Sequence, residues 1–378
     1  MENNSIDLRY SYDAHKEYNL FDLLYSYSAS GCEENATTQF EKIMKKIENC
    51  KFEFKDKIGN VAFSMGKGTI PVMISAHIDE IGIRVQYIDD NGFIYFIKNG
   101  GIDPKALLGS VVTIKSNKDG QMINGVIGKT PIHIEKNSDN KDIKISDLKI
   151  DCGFENKEEA EKYVRVGDTV TFRHYAFPCV NKNRIVSNGI DDKIGVFVIT
   201  KVFELLNKIN YEFKTIKPYG VACVQEEVGG GGAEIAAKRI NPQYSIDFDV
   251  TFATDDECVS KKEWGDIKLG KGGAIAFGPD KNTFMCNDVI ELCKKNSTPY
   301  QIFSVGAKMT NTHGIKNASD DCATMLISIP QRNMHTQVEM CDLRDIKSIV
   351  NMTVDYLLYL DENISHEKKH DEPSCPCT

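Results

Sequence analysis

At 378 residues the chain exceeds one typical domain, and its 41% apolar and 27% charged side chains are those of a globular enzyme. A formal net charge of −9 without a basic stripe argues against a nucleic acid partner. No apolar run approaches the roughly 20 residues of a bilayer crossing, which argues against a membrane protein. Met1-Glu2-Asn3-Asn4 lacks the basic and apolar regions of a secretion signal, and the twelve cysteines show no CxxC or zinc-finger spacing. A cytoplasmic protein with reduced thiols is expected.

Leu20, Leu23 and Leu24, then Phe40, Ile43, Met44 and Ile47, recur at helical spacing and predict two helices between residues 16 and 48. Residues 51–55 and 60–64 alternate like short strands. Residues 70–76 are more uniformly apolar, as in a strand covered on both faces, and deliver His77-Ile78-Asp79-Glu80. From about 82 to 180 short strand-like runs alternate with Asn-Gly and Asp-Gly turns, which predicts a mostly β insert. An α/β pattern then resumes. Helices are predicted over 193–206, 284–294 and 343–360, the last with Asp342 and Asp345 spaced as a cap, and strands over 220–225, 244–251, 273–277 and 325–329. The polar tail 363–378 is expected to be disordered. The expected fold is α/β, a mixed sheet with helices on both faces. Residues 1–81 and 181–362 form the larger domain, and the 82–180 insert interrupts it.

Glu226 and Glu227 end the apolar run 220–224 and are followed by four glycines, which places two like charges at the carboxyl end of a strand. Such a pair repels unless a cation or proton separates it; a solvated turn is the plainer reading. His77, Asp191, Asp249 and His335 stand likewise after apolar runs or beside glycine. Taken singly, His77 reads as a core or surface histidine and Asp191-Asp192 as a helix cap. Taken together, histidines with carboxylates and no cysteine suit zinc, cobalt or manganese. Asp79 lies two residues beyond His77 in an extended chain, on the same side, where it could accept a hydrogen bond from the imidazole and fix its ligating nitrogen. Residues 229–232 are no phosphate loop, since no Lys-Ser or Lys-Thr follows, and close backbone approach is their better explanation.

Three stretches carry a resemblance: Ala76-His77-Ile78-Asp79-Glu80-Ile81-Gly82, Asn188-Gly189-Ile190-Asp191-Asp192-Lys193 and Val224-Gln225-Glu226-Glu227-Val228-Gly229. Asp249-Val250-Thr251, Gly100-Gly101-Ile102-Asp103-Pro104 and the segment from Ser328 through His335 extend it. The chain resembles the dinuclear metallo-aminopeptidases of the tetrahedral (TET), glutamyl and deblocking aminopeptidase family. The resemblance implies a zinc-peptidase-like catalytic domain and two divalent metal ions per subunit, zinc or cobalt before manganese. By it Asp191 bridges the ions, His77 and Asp249 complete one site, and Glu227 and His335 complete the other. By the same resemblance Glu226 becomes the general base; Asp79, read from its spacing as the residue that fixes His77, is counted with Glu226 as catalytic. Short peptides are the implied substrates, and the β insert is implied to build a homo-oligomer, a twelve-subunit shell.

The chain departs from the family at Ala307-Lys308-Met309-Thr310-Asn311, where the family has Gly-Gly-Gly-Thr-Asp. The added lysine and lost carboxylate predict better tolerance of acidic than of basic substrate side chains. Two other classes compete with an aminopeptidase. A glycoside hydrolase could use paired carboxylates, although adjacent strand residues point to opposite faces and the histidines would be idle. A catalytically silent binding protein would not require the intact set of ligands and base.

Overall fold

The computed structural model describes residues 18–131, 133, 143–306 and 310–367. Helices α1 (Tyr18–Leu24) and α2 (Glu34–Met44) precede the antiparallel pair β1 (Lys51–Lys55) and β2 (Val61–Ser64), and then β3 (Ile70–His77). The chain next leaves for a closed barrel. Its strands are β4 (Gly82–Ile88), β5 (Ile94–Asn99), β6 (Ser110–Lys115), β7 (Met122–Ile127), β8 (Ile150–Asp151) and β9 (Thr169–Phe172), arranged β4-β5-β8-β7-β6-β9. Helices α3 (Pro104–Leu107) and α4 (Lys157–Tyr163) lie between these strands in sequence. Ile83, Val85, Ile114, Ile127 and Val170 fill the barrel with a core of its own.

Strands β10 (Ala176–Pro178) and β11 (Arg184–Ser187) return the chain to the large sheet, so the barrel closes at Phe172, before the expected limit at 180. Helix α5 (Ile190–Lys208), β12 (Ile216–Cys223), α6 (Gly231–Ile240), β13 (Tyr244–Phe252) and α7 (Lys261–Trp264) follow. Then come β14 (Gly273–Phe277), α8 (Thr283–Asn296), β15 (Tyr300–Ser304), α9 (Asn311–Ala318), β16 (Ala323–Arg332), β17 (Glu339–Asp342) and α10 (Leu343–Glu367). The sheet order is β1-β2-β12-β3-β13-β16-β17-β11-β10, with β14 and β15 branching from β16.

The central four strands, β12, β3, β13 and β16, are parallel, and all end along one edge. Their apolar runs fit burial on both faces. On one face α5 is buried all round from Ile190 to Phe203, with α10 packed beside it. On the other, Ala233, Ala236 and Ala237 of α6 and Ile315 of α9 lie over Met73, Val221 and Cys223.

Two expectations at the carboxyl end need correction. Helix α10 runs on through Glu367, past the predicted tail boundary at 363, because Leu360 and Ile364 still bury a face; residues 368–378 lie outside the described residues. Asp345 is not part of a reciprocal cap with Asp342. Its carboxylate accepts the Gly270 and Gly272 N–H groups at 2.7 and 2.6 Å, while Asp342 caps the helix as expected, accepting the Arg344 backbone N–H at 3.1 Å. No helix among the described residues is long and apolar enough to cross a membrane.

Candidate metal centre

All of His77, Asp191, Glu226, Glu227, Asp249 and His335 line one cavity of about 360 Å³ at the carboxyl edge of the parallel strands. His77 is the last residue of β3 and Asp249 lies near the end of β13. Asp191 opens α5, where it and Asp192 keep non-helical angles and share a cis peptide bond. Asp192 keeps the plainer role of a cap, accepting the Gly195 N–H at 3.1 Å.

The donor atoms fall into two groups that share one carboxylate. His77 Nε2 stands 3.0 Å from Asp191 Oδ1 and 4.0 Å from Asp249 Oδ1. His335 Nε2 stands 3.3 Å from Asp191 Oδ2 and 3.3 Å from Glu227 Oε1. Within each group the atoms lie within 4.8 Å of one another. Beyond its 3.3 Å approach to His335 Nε2, the buried Glu227 Oε1 makes no hydrogen bond among the described residues, and a cation would satisfy it.

The electrostatics point the same way. Burial, with Asp249 and Glu227 nearby, pushes the Glu226 carboxyl up to about 8. Burial would lower the His335 imidazole, but Asp191 and Glu227 outweigh it and carry it to about 11. His77 is raised too, with Asp191 and Asp79 opposing its burial. So many carboxylates in one cleft bind positive charge, as protons or as cations, and ligation by imidazole requires the proton to leave. Histidine nitrogen and carboxylate oxygen without thiolate fit divalent zinc, cobalt or manganese.

The surrounding contacts correct two details of the sequence analysis. His77 Nδ1 meets the Asp79 backbone oxygen at 3.0 Å, nearer than the carboxylate at 3.5 Å. The Asp79 carboxylate instead accepts the Glu226 and Glu227 N–H groups at 3.0 and 3.1 Å, and the Ser30 hydroxyl at 2.5 Å. Nor do the two glutamates face opposite ways. They lie beyond β12, after Gln225 at φ 60°, and both side chains reach the cavity.

Several participants were not legible beforehand. Glu339 of β17, 2% exposed, accepts the His335 N–H through Oε1 at 3.0 Å and the Asp191 N–H through Oε2 at 3.1 Å. The Gly101 carbonyl, from the segment after β5, accepts from His335 Nδ1 at 2.7 Å. A Cβ on Gly101 would lie 3.1 Å from the His335 ring, so the barrel's approach favours glycine there. Gly232 answers to a tighter demand: a Cβ would stand 1.9 Å from the Val224 carbonyl oxygen. This is the close approach expected of the glycine run. Of the divergent segment, residues 307–309, including Lys308, lie outside the described residues. Asn311 is 1% exposed and does not line the cavity.

A mixed sheet whose strand ends gather two histidines and two further carboxylates around a shared aspartate has the donor set of a metal-dependent hydrolase. The profile of the M42 glutamyl aminopeptidases matches residues 59–352, and the chain belongs to that family. It is 34% identical over 350 residues to a candidate aminopeptidase of Acetivibrio thermocellus, covering 90% of this chain and 99% of that one. To the lysyl aminopeptidase of Pyrococcus furiosus it is 31% identical over 304 residues, 79% and 84% of the two chains. The TET aminopeptidase of Thaumarchaeota archaeon SCGC AB-539-E09 superposes with a TM-score of 0.86 at 26% identity, over 92% of this chain and 97% of that one. PhTET1-12s, solved as a dodecamer, superposes with a TM-score of 0.78 at 29% identity, over 89% and 97%.

Proposed function

We propose that this metal-dependent aminopeptidase releases N-terminal residues from short peptides at a centre for two divalent ions, zinc or cobalt before manganese. The observation that carries this reading is the Asp191 carboxylate, whose two oxygens face the two histidines at 3.0 and 3.3 Å. His77, Asp191 and Asp249 would hold one ion, and Asp191, Glu227 and His335 the other. When bound, such a pair polarises a scissile carbonyl and makes water nucleophilic at neutral pH.

The chain's own groups do the rest. Glu226, in the same cavity but in neither donor group, accepts the water proton and passes it to the leaving amine. Asp79 holds the Glu226 and Glu227 backbone so that one carboxylate acts as base while the other ligates. Surplus negative charge in the cleft favours a substrate's cationic amino terminus over an internal peptide segment.

The barrel is read as an oligomerisation domain. Its outer face exposes Tyr87, Val111 and Val126, and the related PhTET1-12s is a dodecamer. The ten cysteines among the described residues are unpaired, which supports a reducing, cytoplasmic setting. The test is a panel of aminoacyl anilides given to metal-stripped protein with zinc, cobalt or manganese restored. Hydrolysis that appears with metal and ceases with chelator supports the reading. Activity on a β-glucan that survives chelation would replace it with a glycoside hydrolase, and no hydrolysis with any metal would reject it.

A further inference from the structure

Beyond the charged residues the cavity continues along an apolar wall that the reaction itself does not use. Phe252 at the end of β13, Trp264 at the end of α7, Phe303 on β15, Leu326 on β16 and Met334 form it. Phe303 and Leu326 are buried, at 8% and 1% exposure, and supply a fixed floor. Trp264, the only tryptophan in the chain, is 40% exposed. Its ring stands edge-on to Phe252, 4.5 Å between centroids at 66°, so the indole is braced and still accessible to a ligand.

Among the described lining residues, Glu263 is the one charged side chain outside the donor groups and Glu226, and it is exposed. A substrate lysine or glutamate side chain lying on this wall would bring an ionised head against rings and methyl groups. Besides Glu263, only neutral hydroxyls such as those of Thr251, Ser304 and Thr310 stand nearby among the described lining residues. Glu263, its one charged neighbour there among the described residues, would be weakened by water and salt. An apolar side chain would instead release water from both surfaces. With the α-amino group and scissile carbonyl at the charged end, as the proposed reaction requires, the first side chain would be the part of a peptide nearest the wall.

We infer that the wall selects peptides whose N-terminal residue is large and apolar, such as phenylalanine, leucine or methionine, with Trp264 and Phe252 as the specificity-determining pair. The inference rests on the aminopeptidase reading of the same site. It also runs against the charged side chains that the names of the family and of the Pyrococcus furiosus relative suggest.

Two measurements on the zinc-loaded enzyme test it. Phenylalanyl and leucyl anilides are expected to exceed alanyl, lysyl and glutamyl anilides in kcat/KM by at least about tenfold, the scale of a filled apolar pocket. Trp264→Ala should reduce the phenylalanyl-to-alanyl ratio by a similar factor, a ratio that a mere loss of folded enzyme leaves unmoved. The second measurement needs no turnover. Because Trp264 is the sole indole, its emission reports the wall directly. Titration with L-phenylalanine should change it saturably, while L-lysine and L-glutamate at equal concentration should not. Lysyl or glutamyl anilide as the best substrate, or a stronger emission response to either charged amino acid, overturns the inference and leaves the aminopeptidase reading standing. If no anilide is hydrolysed, that reading falls and the emission titration alone decides: selective saturation by L-phenylalanine supports an apolar subsite, and an equal or absent response rejects it.

Discussion

The Glu226 and Glu227 N–H groups both end on the Asp79 carboxylate, so a fully buried acid aims two others. Glu226→Gln keeps the shape and removes the proposed base, and kcat should fall by about 10²–10⁴-fold while metal content stays near that of the wild type. Glu227→Gln removes a proposed ligand and should lower metal content as well as turnover. Metal analysis beside steady-state kinetics separates the two; equal metal loss in both would reject the division of roles. Asp79→Asn keeps the volume but weakens the acceptor for two N–H groups. A loss of about 10–100-fold in metal affinity or activity is expected, the usual effect of a residue that orients ligands, measurable by metal titration.

At the scale of elements, the parallel strands made the centre readable. A strand buried on both faces is an unbroken apolar run, so the polar residue that ends it stands out, as His77 does. Supports supplied by backbone or by short edge strands leave no such mark. Glu339 is one of two acids in a four-residue strand, the Gly101 contact is a carbonyl, and the shared orientation of Glu226 and Glu227 depends on the turn at Gln225. The base of the barrel carries another hidden element. Glu80, just before β4, meets His174 at 2.7 Å and the fully buried Lys193 at 3.2 Å. Burial would raise the Glu80 carboxyl, but His174 and Lys193 beside it outweigh that and bring it down to about 2. A carboxylate lowered in the folded state stabilises fully above its unfolded value of roughly 4.3 and loses that contribution as pH falls toward the folded value. From pH 5 to pH 2 the wild type should therefore lose on the order of 3 kcal/mol more stability than Glu80→Gln. Denaturant unfolding at stepped pH checks this, and parallel pH profiles for the two proteins would refute it.

For the whole molecule, the expected assembly has a mass many times that of one 42.4 kDa chain, twelve times for a closed shell. Light scattering gives it directly, and a single-chain mass would remove the barrel's proposed role. The hydrogen bond from His335 to the Gly101 carbonyl carries a further consequence. His335, a proposed metal ligand, takes its orientation from a lobe read as the meeting point of subunits, so a force that tilts the barrel would be felt at the proposed centre. Thermodynamic reciprocity then requires the converse: if docking neighbours tightens the His335 site, filling that site must tighten docking by the same factor. The subunit would behave as a coincidence detector, completing its container and its catalyst together, and dilution and chelation would become two routes to the same dispersed state.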